Sequence, residues 1–197
     1  AATMAPPSQP TRMANNTNTG SAAALRCTTA LQVRTPVDDA HLISQLSELL
    51  GAENVLTSAD LMAAHLADWR GRYRGTAICI ARPASTAAVA AVVRVCGRAR
   101  VAMVPQGGNT SLCGAATPGP VGRSVVISLS RLKRVRAIDP ANNTMTVEAG
   151  CVLQALQEAA AGAGRLFPLA LAAEGGCQIG GNLSTNAGGV QVLRYGN

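Results

Sequence analysis

Regular spacing of apolar residues begins at Asp38. From there Leu42, Ile43, Leu46, Leu49 and Leu50 recur at helical intervals, Asp38 and Asp39 supply an N-terminal signal, and Gly51 can close the helix. A second short helix is predicted after Ser58, with Leu61 and Leu66 facing inward. Thr76–Ala81 is then a short apolar run that stops at Arg82-Pro83 and predicts a buried strand. Ser85 and Thr86 can cap a helix carrying Val89, Val92, Val93 and Cys96, and Val101–Val104 predicts another strand. Strand, helix and strand in this order form a β-α-β unit, because parallel strands need a crossover.

The second half has a different rhythm. Ser124–Leu129, Arg134–Ile138 and Thr144–Glu148 are predicted strands, the last two joined as a hairpin through Asp139-Pro140-Ala141-Asn142-Asn143. Val152–Ala161 follows as a helix with Val152, Leu153 and Leu156 on one face, and the chain then becomes rich in Gly and Asn. The pattern predicts an α+β fold with two lobes, the second of them incomplete. Residues 1–37 show no sustained period and are rich in Ala, Ser, Thr, Asn and Pro, which predicts a disordered tail. Residues 38–75 are expected as an N-terminal helical segment, and 76–197 as the main domain.

Composition narrows the function classes. With 197 residues, 48% of them hydrophobic, the chain can build a sizeable core. It contains no apolar run of the length of about 18 residues that a spanning helix needs. The net charge of +7 suggests nucleic acid, but the excess is spread along the chain, and Trp69, Tyr73, Phe167 and Tyr195 are the only aromatic residues. A solvated Arg-rich surface and no nucleic-acid partner are therefore expected. No two of the six cysteines have metal-ligand spacing, His41 and His65 lie apart from them, and no metal site is expected. The absence of an export signal favours a reducing compartment and a cytoplasmic location, while the tail's three Arg and no acid leave an organelle open.

Two glycine-rich stretches carry the candidate chemistry. Val104-Pro105-Gln106-Gly107-Gly108-Asn109-Thr110-Ser111-Leu112 follows a strand, where free backbone amides beside two glycines can form an anion nest with hydroxyl help from Thr110 and Ser111. It matches neither the Walker pattern nor G-x-G-x-x-G, and a plain turn is the competing interpretation. Glu174 to Gly189 holds six glycines, which implies tight turns or close packing on a flat ligand, with Asn182, Thr185 and Asn186 offering polar groups to a heterocycle edge.

Taken together, P-Q-G-G-N-T-S, the hairpin, the helix and G-C-x-I-G-G-N-x-x-T-N-A-G-G resemble the FAD-binding domain of vanillyl-alcohol oxidase type flavoproteins. Within that group the chain is most similar to bacterial D-2-hydroxyacid dehydrogenases, the set containing D-2-hydroxyglutarate dehydrogenase and the glycolate oxidase FAD subunit. Asp68–Gly75, Arg82–Thr86 and Leu193–Asn197 also match. The resemblance implies that FAD lies between a small α/β lobe and a larger antiparallel-sheet lobe, truncated here. It implies that Pro105, Gln106, Gly107, Gly108, Asn109, Thr110 and Ser111 hold the pyrophosphate, chiefly through backbone amides. Gly176, Cys177, Gly180, Gly181, Asn182, Thr185 and Asn186 then pass the pyrophosphate and isoalloxazine, with Pro168 and Leu169 on the approach.

There are departures from the family pattern. Ser111 and Ala115 replace glycines of N-T-G-x-x-G-G. Asn109 stands where covalent members often carry His, so non-covalent FAD is implied. The family's catalytic His, substrate Arg and metal ligands have no counterparts in these residues, so no catalytic residue is assigned. The expected activity is oxidation of a small D-2-hydroxy acid to the 2-oxo acid, by a protein of which this chain is the N-terminal FAD-binding part, inactive alone; the electron acceptor is unassigned. Another flavoenzyme of the superfamily and a non-catalytic basic binding protein are the alternatives.

Overall fold

The computed structural model describes residues 38–196, so the expected disordered tail over 1–37 lies outside the described residues. Helix α1 (Asp39–Leu50) buries Leu42 and Leu46 completely and ends at Gly51, whose φ of 85° is a conformation glycine adopts freely. A short 3-10 turn (Ala52–Asn54) leads into β1 (Val55–Leu56), followed by α2 (Ala59–Leu66) and β2 (Cys79–Ala81). Helix α3 (Thr86–Ala99) starts where the Ser85 hydroxyl oxygen accepts the Ala88 N–H at 3.1 Å, as its sequence predicts. Strands β3 (Ala102–Gln106) and β4 (Ser124–Ser128) complete a four-stranded sheet in the order β1-β2-β4-β3.

The β-α-β unit is present, with one difference from the expected neighbours. Strands β2 and β3 run parallel, but β4 lies between them and pairs with both. Burial explains the order. All five β4 residues are buried, which suits a central strand covered on both faces, whereas β3 exposes Ala102, Met103 and Pro105. Pro105 lacks an N–H and fits an edge strand. Side chains divide with period two: Cys79, Ala81, Val125 and Ile127 pack with α1 and α3, while Ile80 and Val126 pack on the other face with Met62 and Leu66 of α2. Residues 38–75 thus share their cores with the strands that follow. Strand β1 is two residues long and was not predicted, and Thr76–Ile78 lies ahead of β2 rather than within it.

The second lobe is built on the predicted hairpin, β5 (Val135–Asp139) and β6 (Thr144–Val147), paired antiparallel with a bulge near Arg136. Its turn is held by the Asp139 carboxylate, which accepts the N–H groups of Ala141 and Asn142 at 3.1 Å each. Helix α4 (Leu153–Gly162) buries Leu153, Leu156 and Ala160. Cys151, Leu156 and Ile179 form a core with Met145, Val147 and Phe167 against it. The Gly- and Asn-rich end contains two helices the sequence did not predict, α5 (Ile179–Ser184) and α6 (Val192–Tyr195). Two glycines weaken α5 by propensity, but Ile179 and Asn182, three apart, bury one face of it. Gly180 also permits close approach to Ala149, since a Cβ there would lie 2.8 Å from the Ala149 Cβ.

Candidate functional site

The loop after β3 is anchored by two side chains. The Gln106 side chain is buried: its Oε1 accepts from Nδ1 of His65, and its Nε2 donates to His65 O at 2.9 Å and Ala116 O at 2.8 Å. Oε1 can only accept, so His65 carries its proton on Nδ1. Asn109 takes a φ of 54° and donates from Nδ2 to Ala67 O at 2.7 Å and Ala64 O at 3.2 Å, tying the loop to the end of α2. Among the described residues, none of the backbone N–H groups of Gly107 to Ser111 meets a protein acceptor. A left-handed Asn109 among unengaged amides has the chemistry of an anion nest.

The second glycine stretch packs directly on this loop. A Cβ on Gly108 would lie 1.9 Å from Gly176 O, and one on Gly107 would lie 3.3 Å from the Gln178 Cβ. A Cβ on Gly176 would sit 3.7 Å from the Thr110 methyl group. The segment's own turn is held by Ala173 O, which accepts the Gly176 and Cys177 N–H groups, and by Glu174, whose carboxylate accepts the Leu171 N–H at 3.2 Å. Glu174 is therefore engaged in a turn.

Of the remaining expected residues, Pro168, Leu169, Asn182 and Asn186 line a cavity of about 280 Å³ beside α5, together with Phe167 and Tyr195 among others. Leu169 O accepts from Gln157 Nε2 at 2.7 Å, which fixes this approach to α4. Several side chains are turned away from the role of presenting polar groups to a heterocycle. Cys177 is buried and its Sγ accepts from Asn182 Nδ2 at 3.5 Å, while the Thr185 hydroxyl donates to Gly181 O at 3.0 Å. Asn186 stays exposed with a φ of 50°, ending α5. Gly181 faces open space. Pro105 is exposed on β3, and Ser111 turns to Cys113, its hydroxyl 3.3 Å from Sγ. That hydroxyl, with help from a backbone N–H, holds the exposed Cys113 thiol below its ordinary pKa.

Two groups of expected residues stand out, Gly107–Thr110 with Gly176–Cys177, and Pro168, Leu169, Asn182 and Asn186 around the cavity, while Gly180, Gly181 and Thr185 do not line it. Helix α5 joins them. Sequence reasoning missed Gln178 in the glycine run, which is buried beside Gly107 with an unpartnered Oε1. It also assigned no partner to His65. Nearby, Asp68 accepts the Tyr73 N–H at 2.8 Å, and backbone N–H groups, Tyr73's first, hold its carboxyl below the usual range against the opposing effect of burial. Arg70 stacks over Trp69 at 4.8 Å on the exposed turn that Asp68 closes. Among the described residues no cluster of three or more His, Cys, Asp or Glu could hold a metal, and no helix is long and apolar enough to cross a membrane.

Comparison with known proteins identifies the family and the fold. Residues 77–197 match the FAD binding domain family. A probable mitochondrial D-2-hydroxyglutarate dehydrogenase from Oryza sativa subsp. indica is 41% identical over 155 residues, 79% of this chain and 27% of that protein. A D-2-hydroxyglutarate dehydrogenase from Xanthomonas citri pv. viticola is 43% identical over 130 residues, covering 66% of this chain and 27% of that protein. The chain therefore spans about a quarter of the length of these relatives. Among solved structures, an alkyldihydroxyacetonephosphate synthase superposes with a TM-score of 0.73 at 20% identity, covering 85% of this chain and 33% of that one, which shows the shared fold. The two-lobed α+β arrangement expected from the sequence is that fold, and with most of its length matched the chain belongs to the FAD binding domain family.

Proposed function

We propose that this chain is the FAD-holding part of a dehydrogenase that oxidises a small D-2-hydroxy acid to the 2-oxo acid. The observation that carries the reading is the contact between the two glycine stretches, Gly108 against Gly176 O, beside a row of amides with no protein acceptor. Diphosphate oxygens need only donors, and Gly107, Gly108, Asn109 and Thr110 offer four N–H groups in sequence. The hydroxy-acid substrate follows from the relatives named D-2-hydroxyglutarate dehydrogenase.

FAD, when bound, supplies the two-electron acceptor for the hydrogen leaving the hydroxyl-bearing carbon. The chain's own contribution is to seat and orient it: the amides of Gly107–Thr110 meet the diphosphate, and the cavity beside Pro168, Leu169 and Asn186 takes the flat ring. The binding is non-covalent, since the Asn109 amide is engaged with Ala64 and Ala67 and is no nucleophile. Removal of the alcohol proton falls to residues outside this chain, because no carboxylate or imidazole is among the described residues that line the cavity. Several relatives carry the word mitochondrial in their names, which supports an organelle as the location of this protein.

The test is the visible spectrum of the chain after FAD is added and excess dialysed away, with circular dichroism as the check on folding. The expected result is a retained flavin band whose chromophore is released by acid precipitation, lost in Gly108→Val with the dichroism unchanged. A folded chain without flavin overturns the reading. Turnover of D-2-hydroxy acids with a dye acceptor by this chain alone overturns the assignment of proton removal to other residues.

A further inference from the structure

Gln178 stands where the two glycine stretches meet. Its backbone is pinned on both sides: Cys177 O accepts from Leu153 N at 3.2 Å, Ile179 N donates to Cys151 O at 2.9 Å, and its own carbonyl accepts from Gly181 N and Asn182 N at 3.0 and 3.1 Å. The side chain, on a residue only 9% exposed, runs to the loop, with Oε1 3.4 Å from where a Gly107 Cβ would sit. Yet Oε1 is fully buried and has no hydrogen-bond partner. Orphaned buried amide oxygens are costly and rare. The other buried amides, those of Asn54, Gln106 and Asn182, each make at least one bond.

The neighbourhood of this oxygen defines what it needs. The loop beside it offers N–H donors, which suit an anion, but a diphosphate has no hydrogen to give to an acceptor. An unpartnered acceptor beside an anion nest fits a hydroxyl on a carbon chain next to the phosphate. We propose that Gln178 is a cofactor-contacting residue, its buried Oε1 beside Gly107 accepting a hydroxyl that adjoins the diphosphate of the bound dinucleotide. Both the ribityl chain and the adenosine ribose carry such hydroxyls. The assignment rests on FAD being the cofactor, and it gives the site a means to prefer a polyhydroxylated dinucleotide over a bare diphosphate.

The experiment uses the full 197-residue chain, wild type and Gln178→Leu, with Gln178→Met as a second variant. Each is titrated calorimetrically with FAD, FMN and ADP, and each is melted without ligand. Leucine keeps much of the bulk and removes the orphan oxygen. The ligand-free melting temperature is expected to hold or rise, while the FAD dissociation constant rises about tenfold, the effect of one hydrogen bond. A loss confined to FMN assigns the ribityl hydroxyl, and a loss confined to ADP assigns the ribose. FAD affinity within about twofold of wild type overturns the proposal and leaves the FAD reading intact. A melting temperature that falls together with the affinity also overturns it, since that is the behaviour of a residue that merely props the loop. Failure of the wild-type chain to bind FAD overturns both.

Discussion

The two lobes meet the same requirement, covering a sheet, in different ways. In the first, β2 and β4 are buried at every residue, and helices cover both faces of the sheet. In the second, β5 is mostly exposed, and the inner face of the hairpin borders a cavity of about 320 Å³ lined by Met145, Val147, Leu156, Phe167 and Arg165 among others. A lone hairpin is marginal in water and depends on what packs against it. Here that is α4, α5 and the Phe167 segment. The difference teaches where rigidity comes from: the candidate site takes its Gly107–Thr110 loop from the well-packed lobe and its Gly176–Asn186 segment from the less well-packed one.

Thiol chemistry breaks or sharpens this comparison most sharply. Burial pushes the Cys79 thiol up to about 12 and Cys96 to about 11, and it raises Cys151 as well. Among the described cysteines, timed alkylation read by mass spectrometry should label exposed Cys113 first, then Cys151 and Cys177 of the second lobe. Cys79 and Cys96 should come last, on the order of a thousandfold slower than Cys113, because they wait for opening of the main core. Labelling of Cys79 in step with Cys151 would show that the lobes open as one.

Core truncations come next in size. Ile80→Ala removes a side chain with no exposure and should cost about 3 kcal/mol in a urea titration. Met145→Ala, at a partly buried hairpin position bordering the cavity, should cost about 1 kcal/mol. Equal losses would mean that the hairpin lobe is packed as tightly as the sheet lobe.

The smallest effect is confined to acid. Glu148 accepts the Arg134 N–H at 3.0 Å and the guanidinium groups of Arg134 and Arg136 at 3.1 and 3.2 Å. The backbone N–H of Arg134 first, and then the two guanidinium groups, hold its carboxyl below the usual 4.5, against burial, which acts in the opposite sense. A pKa lowered on folding contributes stability that is present above the ordinary value and lost as pH falls through the folded one. The acid limb of a melting profile below 4.5 should therefore flatten in Glu148→Gln, with hairpin amide exchange as the local readout. An unchanged limb would remove Glu148 from the account of the hairpin.

Much of the fold was legible because local signals agreed. Leu42 and Leu46 carried the period of α1, Ser85 marked the start of α3, and Asp139 announced the hairpin turn. What was not legible depends on distant partners. The insertion of β4 between β2 and β3 is a pairing choice made by burial, and two-residue β1 is too short for a pattern. Helix α5 runs against the propensity of Gly180 and Gly181, and only tertiary burial of Ile179 and Asn182 overrides it. At the site, both glycine stretches stand out in the sequence, but their contact at Gly108 does not. Nor does the inward turn of Gln106, Cys177 and Asn182, because a polar side chain's direction is set by neighbours far along the chain.

The strand order also sets a schedule for the chain as it is made. Strands β2 and β3 touch β4 and not each other, so the loop between them closes on nothing until residues 124–128 arrive. Loop-closure entropy must be met before such non-local pairs give any return. The helices of the first lobe can flicker early, but its sheet has no interior until β4 emerges. The anchors of the nest to His65, Ala67 and Ala116 precede β4, and its base is fixed last, when Leu129 N donates to Gln106 O at 2.9 Å. A nascent chain halted before Ser124 would therefore carry the whole P-Q-G-G-N-T-S sequence without the shape that makes it a site.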